Sequence, residues 1–316
     1  MSGKNVTEVV LADAAGIARA AAILESGGLV AVPTETVYGL AARADSAEAV
    51  ARIYAAKGRP DFNPLIVHVR DEEQAKQYGD FPLAALQLGA RHWPGPLTMV
   101  VPLRDNHGLA KAVTAGLPTV ALRVPAHPVM QDLLKAVSVP LAAPSANRSG
   151  FISPTKANHV LASLDGRIDL VLDAGPARSG VESTIVAVRE DGSIEELRPG
   201  PIEFDKNAGS SGRDRSIEAP GQLASHYSPG KPVRLNAANA EPDEFWIGFG
   251  GDPGAGFRGC NLSLAADLNQ AASRLYDCLH QGAASDKPRI AIAPVPNTGI
   301  GRAINDRLRR AATPVD

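Results

Sequence analysis

The chain reads as an α/β protein of two units joined by a long linker. Three observations predict this. Helical and strand patterns alternate over the first two thirds of its 316 residues, a length at which two domains of roughly 100–200 residues are the ordinary expectation. Turn-forming residues then break the pattern between Phe204 and Pro232. A shorter strand–helix–strand–helix run follows from Val233 to Asp316. The expected units are therefore 1–204, a linker at 205–232, and 233–316.

Each element has its own signal. Residues 14–26 are Ala-rich with apolar spacing and predict a helix, which Gly27-Gly28 stops. A strand begins at 29–32, and Pro33-Thr34-Glu35-Thr36-Val37-Tyr38-Gly39-Leu40 follows as a loop. Asp45 with Glu48 resembles a capping box that opens a helix ending near Lys57. Pro60 cannot continue that helix and biases Arg59 toward extended backbone, so a strand at 65–69 comes next. Further strands are expected at 97–101, 119–124, 140–143, 168–172 and 184–188, with Asp191-Gly192 as a hairpin turn. Gly209 to Arg215, Pro220-Gly221 and Ser228-Pro229-Gly230 carry linker chemistry. The last unit should hold strands at 245–249 and 290–294 and helices at 268–279 and 303–312, the first of these capped by Asp267 with Gln270.

Composition bounds the function. The formal net charge is −2, so no global basic field draws the chain to nucleic acid or an anionic membrane, and any polyanion site must be local. Cys260 and Cys278 form no CxxC pair, which suggests neither a zinc site nor a disulfide framework. The opening residues lack a signal-peptide pattern, and no apolar run approaches ~18 residues. A soluble, cytoplasmic protein is expected.

Several residues carry candidate chemistry. Lys57 and Arg59 leave a helix end and enter a loop ahead of a strand. That suits gripping a polyanion such as a triphosphate, and it equally suits a solvated turn. Thr34, Glu35, Thr36 and Tyr38 follow a strand, where open α/β sheets bind ligands and where the same residues also make ordinary turns. His68 shares a strand face with Ile66, opposite Leu65, Val67 and Val69; it is either a satisfied core histidine or a ligand contact. Arg123 lies in an otherwise apolar strand, where a guanidinium must point to solvent, join a structural ion pair, or meet a carboxylate ligand. Ser145-Ala146-Asn147 and Ser183-Thr184 are weak signals alone. Gly254 to Gly259 matches GxGxxG but does not join a strand directly to a helix, so it is no dinucleotide site.

Four motifs occur in order: Pro-Thr-Glu-Thr-Val-Tyr-Gly-Leu at 33–40, Lys-x-Arg-Pro-x-x-Asn-Pro-Leu at 57–65, Ser-x-Asn at 145–147 and Glu-Ser-Thr at 182–184. Together they resemble the threonylcarbamoyl-AMP synthases, whose catalytic unit is the YrdC-like domain. His226-Tyr227-Ser228-Pro229 before a second α/β unit resembles the long, two-domain form. The resemblance spans nearly the whole chain. It implies a twisted mixed-sheet YrdC-like catalytic domain around a cationic cavity, plus a smaller Rossmann-like α/β C-terminal domain.

The implied activity is that of an L-threonylcarbamoyladenylate synthase, a nucleotidyltransferase. It would make threonylcarbamoyl-AMP and pyrophosphate from L-threonine, bicarbonate or CO2, and ATP. A downstream transferase system would then modify the adenosine after the anticodon of ANN-reading tRNAs. Carried over residue by residue, Thr36, His68, Arg123, Ala143 and Ser183 would contact L-threonine, with its carboxylate on Arg123. Arg59, Asn63, Thr119, Ser145, Asn147, Ser153, Arg198 and Tyr227 would serve ATP. Lys57 and Arg59 would be the catalytic cations, and the linker around Tyr227 would act as a lid. Mg2+ would accompany ATP, with no metal ligands assigned in the chain and no tightly bound organic cofactor.

Two other readings compete. An RNA-binding regulator would use the same cationic concave surface, and weak tRNA binding would accompany it. The near-neutral charge weighs against strong non-specific binding. A hydrogenase-maturation carbamoyltransferase shares the domain, but its zinc-finger cysteines are missing here.

Overall fold

The structure is a computed structural model that describes residues 6–204, 218–219, 226–251 and 259–313. The linker signals at 209–215 and Pro220-Gly221, and most of the Gly254–Gly259 pattern, lie outside the described residues.

Ten strands build one mixed sheet: β1 (Glu8–Leu11), β2 (Val30–Val32), β3 (Gly39–Arg43), β4 (Ile66–His68), β5 (Leu97–Pro102), β6 (Thr119–Arg123), β7 (Leu141–Ala142), β8 (Leu170–Asp173), β9 (Thr184–Val188) and β10 (Ile194–Arg198). Their order across the sheet is β1-β8-β2-β3-β7-β4-β6-β5-β9-β10. Helices α1 (Ala14–Glu25), α2 (Ala47–Lys57), α3 (Glu72–Ala75), α4 (Leu83–His92), α5 (Pro128–Ala136) and α6 (Ala157–Leu164) connect them. A second sheet has order β11-β14-β12-β13, with β11 (Val233–Arg234), β12 (Glu244–Gly248), β13 (Gly259–Asn261) and β14 (Arg289–Ile292). All its pairings are parallel, and α7 (Leu268–Ala284) and α8 (Gly301–Ala312) pack on it.

Strand alternation assigns the two faces of the large sheet. One face carries Leu40, Ala42, Val67, Met99 and Leu122 and packs on Val50 and Ile53 of α2 and Val160 of α6. The other carries Val30, Ala41, Leu141 and Leu170 and packs on Leu24 of α1 and Leu133 of α5. Register extends this second face across the sheet. Leu141 pairs with His68, His68 with Arg123, Ile66 with Ala121, and Ala121 with Val100. Over these strands α1 and α5 no longer cover the face. Linker residue Ala219 packs there instead, on Ile66, Val100, Ala121, Ile185 and Ala187. The uncovered half of a covered face is where a site can form.

Several expectations need correction. The cap of α2 is Ser46, whose side chain accepts from the Ala49 amide at 3.2 Å, while Asp45 pairs with Arg43 at 2.7 Å. An arginine two residues upstream competes successfully for the aspartate. Asp267 does cap α7, accepting from Gln270 at 2.6 Å. The two cysteines are joined in a disulfide, Cys260 on β13 to Cys278 on α7, with Cα atoms 5.6 Å apart. Their separation of 18 residues spans a strand-to-helix crossover, which a search for CxxC spacing passes over. Strand β1 and helices α4, α5 and α6 carry no clear signal in the sequence.

Candidate active site

The site begins with register. β4 and β6 run parallel, with His68 opposite Arg123, so both side chains rise from the same face. Arg123 is 4% exposed. Its Nη2 donates to Glu35 Oε1 at 2.7 Å and to Thr36 Oγ1 at 2.9 Å. Glu35 Oε2 accepts from the Ala126 amide at 3.1 Å. The loop holding Glu35 and Thr36 is closed by Thr34, whose hydroxyl donates to the Val37 carbonyl at 2.6 Å and accepts from the Thr36 and Val37 amides, each at 3.2 Å. Arg123 thus has an ion pair within the chain, yet among the described residues its buried Nε has no partner, and neither has His68 Nδ1. Orphaned buried polar atoms cost about 1–3 kcal/mol each, so they mark a place where a ligand would be gained. Burial works to raise the Glu35 carboxyl, but the charge and hydrogen bond of Arg123 outweigh it and leave it below its ordinary value. Burial, then the Arg123 charge, lowers His68 to about 3. His68 is therefore neutral.

The opposite wall is cationic. α2 ends on Gly58 with φ of 59°, a left-handed turn that glycine adopts without penalty. Arg59 then folds back on its own loop, donating to the carbonyls of Asn63 at 3.2 Å and Pro64 at 2.9 Å. Lys57 does not reach the cavity. Its Nζ lies 2.5 Å from the carbonyl oxygens of both Ser145 and Asn147 and so props the Ser-x-Asn loop from behind. Asn147 Nδ2 donates to the carbonyls of Arg148 and Phe151 at 2.9 and 2.7 Å. Arg198, from β10, donates to the Ser183 carbonyl at 2.9 Å and to its hydroxyl at 3.1 Å. The Ser183 hydroxyl also lies 2.7 Å from that of Thr98. Burial lowers Lys57 well below its ordinary value, with the Arg59 charge adding to the effect. Burial also lowers Arg59 to about 10, partly opposed by Tyr54 and reinforced by Arg198. Buried cations that destabilise one another are the electrostatic sign of a site awaiting an anion.

One cavity joins the two walls. Thr36, Arg59, His68, Arg123, Ala143, Ser145, Ser183, Arg198 and Tyr227 all line it. Lys57, Asn63, Asn147 and Ser153 are buried in the shell around it. Thr119 stands apart, four residues before Arg123 on the same strand face and about 13 Å along it at the usual rise.

Three lining or supporting residues escape a reading of sequence. Glu182 lines the cavity. It accepts from Ser153 Oγ at 2.5 Å, from Tyr276 Oη at 2.8 Å and from Arg307 Nε at 3.0 Å. Burial works to raise its carboxyl, but the charges of Arg307 and Arg198 and these hydrogen bonds bring it to about 2. It stands beside Ser183 in a motif, which was the available signal. His226 also lines the cavity, and burial lowers it to about 3; its adjacency to Tyr227 was the clue. Tyr227 is fully buried at φ 65°, stacks on Tyr276 at 5.6 Å, and has no partner for its hydroxyl among the described residues. Ser228 ties this stretch to the sheet domain, its amide donating to the Gly150 carbonyl at 2.8 Å. Arg307 sits on the apolar stripe of α8 with Ala303, Ile304, Leu308 and Ala311, and an arginine in that register was the missed sign.

Two family models match the chain in succession. The family model described as "Telomere recombination" matches residues 22–200, and that described as "Threonylcarbamoyl-AMP synthase, C-terminal domain" matches residues 191–313. A Bacillus subtilis (strain 168) protein named threonylcarbamoyl-AMP synthase is 39% identical over 336 aligned positions, covering 98% of this chain and 96% of its own. A Pyrococcus abyssi protein of the same name is 35% identical, covering 93% of each. The crystal structure of P. abyssi Sua5 complexed with L-threonine superposes with a TM-score of 0.86 at 33% identity, covering 97% of both chains.

Proposed function

The chain belongs to the threonylcarbamoyl-AMP synthase family, and from that premise we propose how its cavity performs the reaction. The protein is an L-threonylcarbamoyladenylate synthase, a nucleotidyl-transferring enzyme. Its substrates in this reading are L-threonine, bicarbonate or CO2, and ATP. The observation that carries the reading is the pairing of two ends in one cavity: an unpartnered Arg123 Nε beside neutral His68, and a wall holding Arg59 and Arg198.

Arg123 takes the threonine carboxylate, with Thr36, His68, Ala143 and Ser183 around the rest of the amino acid. A charge-assisted bond to Nε would satisfy the orphaned donor. His68, being neutral, offers a hydrogen-bonding nitrogen and no second charge. The neutral threonine amine adds to CO2, forming a C–N bond and releasing a proton to give the carbamate. A carbamate oxygen then attacks the α-phosphorus. The bond from that phosphorus to the bridging oxygen breaks, and pyrophosphate leaves with the electron pair. Such displacement needs alignment and charge neutralisation more than a covalent nucleophile. Arg59 and Arg198 supply charge directly. Lys57 fixes the Ser145–Asn147 loop, Asn63 and Ser153 support the same wall, and Thr119 contacts the far end of the nucleotide. The linker 205–232 acts as the lid, with Tyr227 on the nucleotide and water kept from the carbamate.

Mg2+ enters with the nucleotide as part of the substrate. No three His, Cys, Asp or Glu side chains converge to hold an ion among the described residues, and both carboxylate oxygens of Glu182 are engaged by other side chains. The catalytic unit is proposed as 1–204, the lid segment as 205–232 and the C-terminal domain as 233–316. The product passes to a tRNA-modifying threonylcarbamoyl transferase system, which places the reaction in the cytoplasm. No helix among the described residues is long and apolar enough to cross a membrane. An RNA-binding role has less support, because Lys57, Arg59 and Arg198 are at most 8% exposed and cannot display charge to a duplex.

The deciding experiment is mass-spectrometric detection of threonylcarbamoyl-AMP from purified protein given ATP, threonine and bicarbonate. Product is expected only when all three are present. Pyrophosphate release indifferent to threonine would overturn the reading.

A further inference from the structure

Arg307 belongs to α8, in the C-terminal unit, yet it ends on Glu182, a carboxylate that lines the cavity. It is 0% exposed. Nε donates to Glu182 Oε2 at 3.0 Å, Nη1 donates to the Pro199 carbonyl at 2.6 Å and to Asp306 at 3.1 Å, and Nη2 has no partner among the described residues. Its guanidinium lies 5.7 Å from the Tyr227 ring centroid. Tyr276 of α7 donates to the same Glu182 oxygen at 2.8 Å.

Two physical points give this cluster a purpose beyond docking. Docking is already served by apolar packing, since Val37, Ile152 and Val181 join Leu275, Leu279 and Leu308 in one core across the junction. A buried ion pair is weak evidence of stability, because desolvation offsets its attraction. The second point is charge. Glu182 lines the cavity beside Ser183 and within the field of Arg198, and a carboxylate there that Arg307 did not offset would repel a triphosphate. Arg307 neutralises it from behind. The same carboxylate holds Ser153 Oγ at 2.5 Å and is followed in the chain by Ser183, which anchors Arg198.

We propose that Arg307 and Tyr276, both supplied by the C-terminal unit, are positioning residues for the nucleotide half of the active site and act through Glu182. Arg307 cancels the Glu182 charge, and with Tyr276 it fixes the carboxylate that orients Ser153. The inference rests on the reading of the cavity as an ATP and threonine site.

The test is a charge-compensation series on the full chain, read by threonine- and bicarbonate-dependent pyrophosphate release and by calorimetric threonine binding without ATP. Arg307→Met should raise the ATP KM at least tenfold and leave the threonine Kd within twofold. Adding Glu182→Gln removes the stranded charge and should recover most of that loss. Tyr276→Phe, a milder change, should raise the ATP KM about threefold with threonine binding unchanged. If Arg307→Met does not fold, Tyr276→Phe and Arg307→Lys decide the matter, since each should shift ATP parameters alone. An ATP KM equal to wild type in these variants overturns the proposal. So does a loss shared equally by both substrates, or one that Glu182→Gln fails to relieve. Wild-type protein lacking threonine-dependent release would instead overturn the functional reading beneath it.

Discussion

Arg123 stands on a strand whose other side chains are apolar or small, and only partners make its burial tolerable. Glu35 and Thr36 occupy one nitrogen and leave Nε open. A lysine offers a compact ammonium without that fork. It could keep the Glu35 contact or reach the ligand, but not hold both in the same geometry. Arg123→Lys should therefore weaken threonine binding by ~10–100-fold, the worth of a charge-assisted bond of about 1.5–3 kcal/mol. The ATP KM should stay near wild type, and titration calorimetry with each ligand separates the two. Equal weakening of both would show that Arg123 supports the whole cavity. This residue was legible in the sequence because a lone cation in an apolar strand contradicts its surroundings. His68 was legible as a polar ring among apolar strand neighbours. Arg307 was not, since a cation in a surface-like helix raises no alarm until its register is compared with Ala303, Ile304 and Leu308. Glu182 sits within the Glu-Ser-Thr motif, yet its role depends on Tyr276 and Arg307, residues more than ninety positions away that only the fold brings near.

At the scale of elements, the junction of α2 with its loop decides where the cationic wall stands. Lys57 is the last helical residue and Arg59 lies just past the cap, so Gly58 alone turns the chain between two cations with different targets. A Cβ added at Gly58 would meet nothing within 4 Å, and the penalty of a substitution is purely that of the left-handed backbone. Gly58→Ala should cost about 1–2 kcal/mol and lower the melting temperature by a few degrees, as a thermal scan would measure. An unchanged melting temperature would mean that the turn relaxes into another conformation. The helix and strands flanking this loop were legible because Pro60 and apolar alternation both speak for them. Helices α4, α5 and α6 were not, since they are short and their packing against the sheet, rather than a strong local signal, stabilises them. The disulfide escaped for a related reason: its partners meet across a crossover, and spacing alone cannot show that two elements pack.

The whole molecule encloses titratable groups in protonation states that the unfolded chain would not keep at low pH. His68 and His226 are each held to about 3, against an ordinary 6.5, and Glu182 to about 2, against an ordinary 4.5. In every case the folded state binds the proton more weakly than the unfolded state. Stability therefore rises with pH across these ranges and is lost as pH falls. The histidine contribution is fully present above about 6.5 and declines toward 3, while that of Glu182 is present above about 4.5 and declines toward 2. By pH 4.5 each histidine would have withdrawn on the order of 1–3 kcal/mol. Losses of that size should appear as a steep fall in melting temperature between pH 6.5 and 4.5. His226→Gln keeps a polar side chain but removes one titration, so its melting temperature should fall less steeply over that interval, even if it starts lower. Glu182→Gln should leave that interval nearly parallel to wild type and flatten the curve only below about pH 4.5. Parallel curves for wild type and His226→Gln from pH 6.5 to 4.5 would defeat the prediction, because they would mean that His226 takes up its proton in the folded protein as readily as in water.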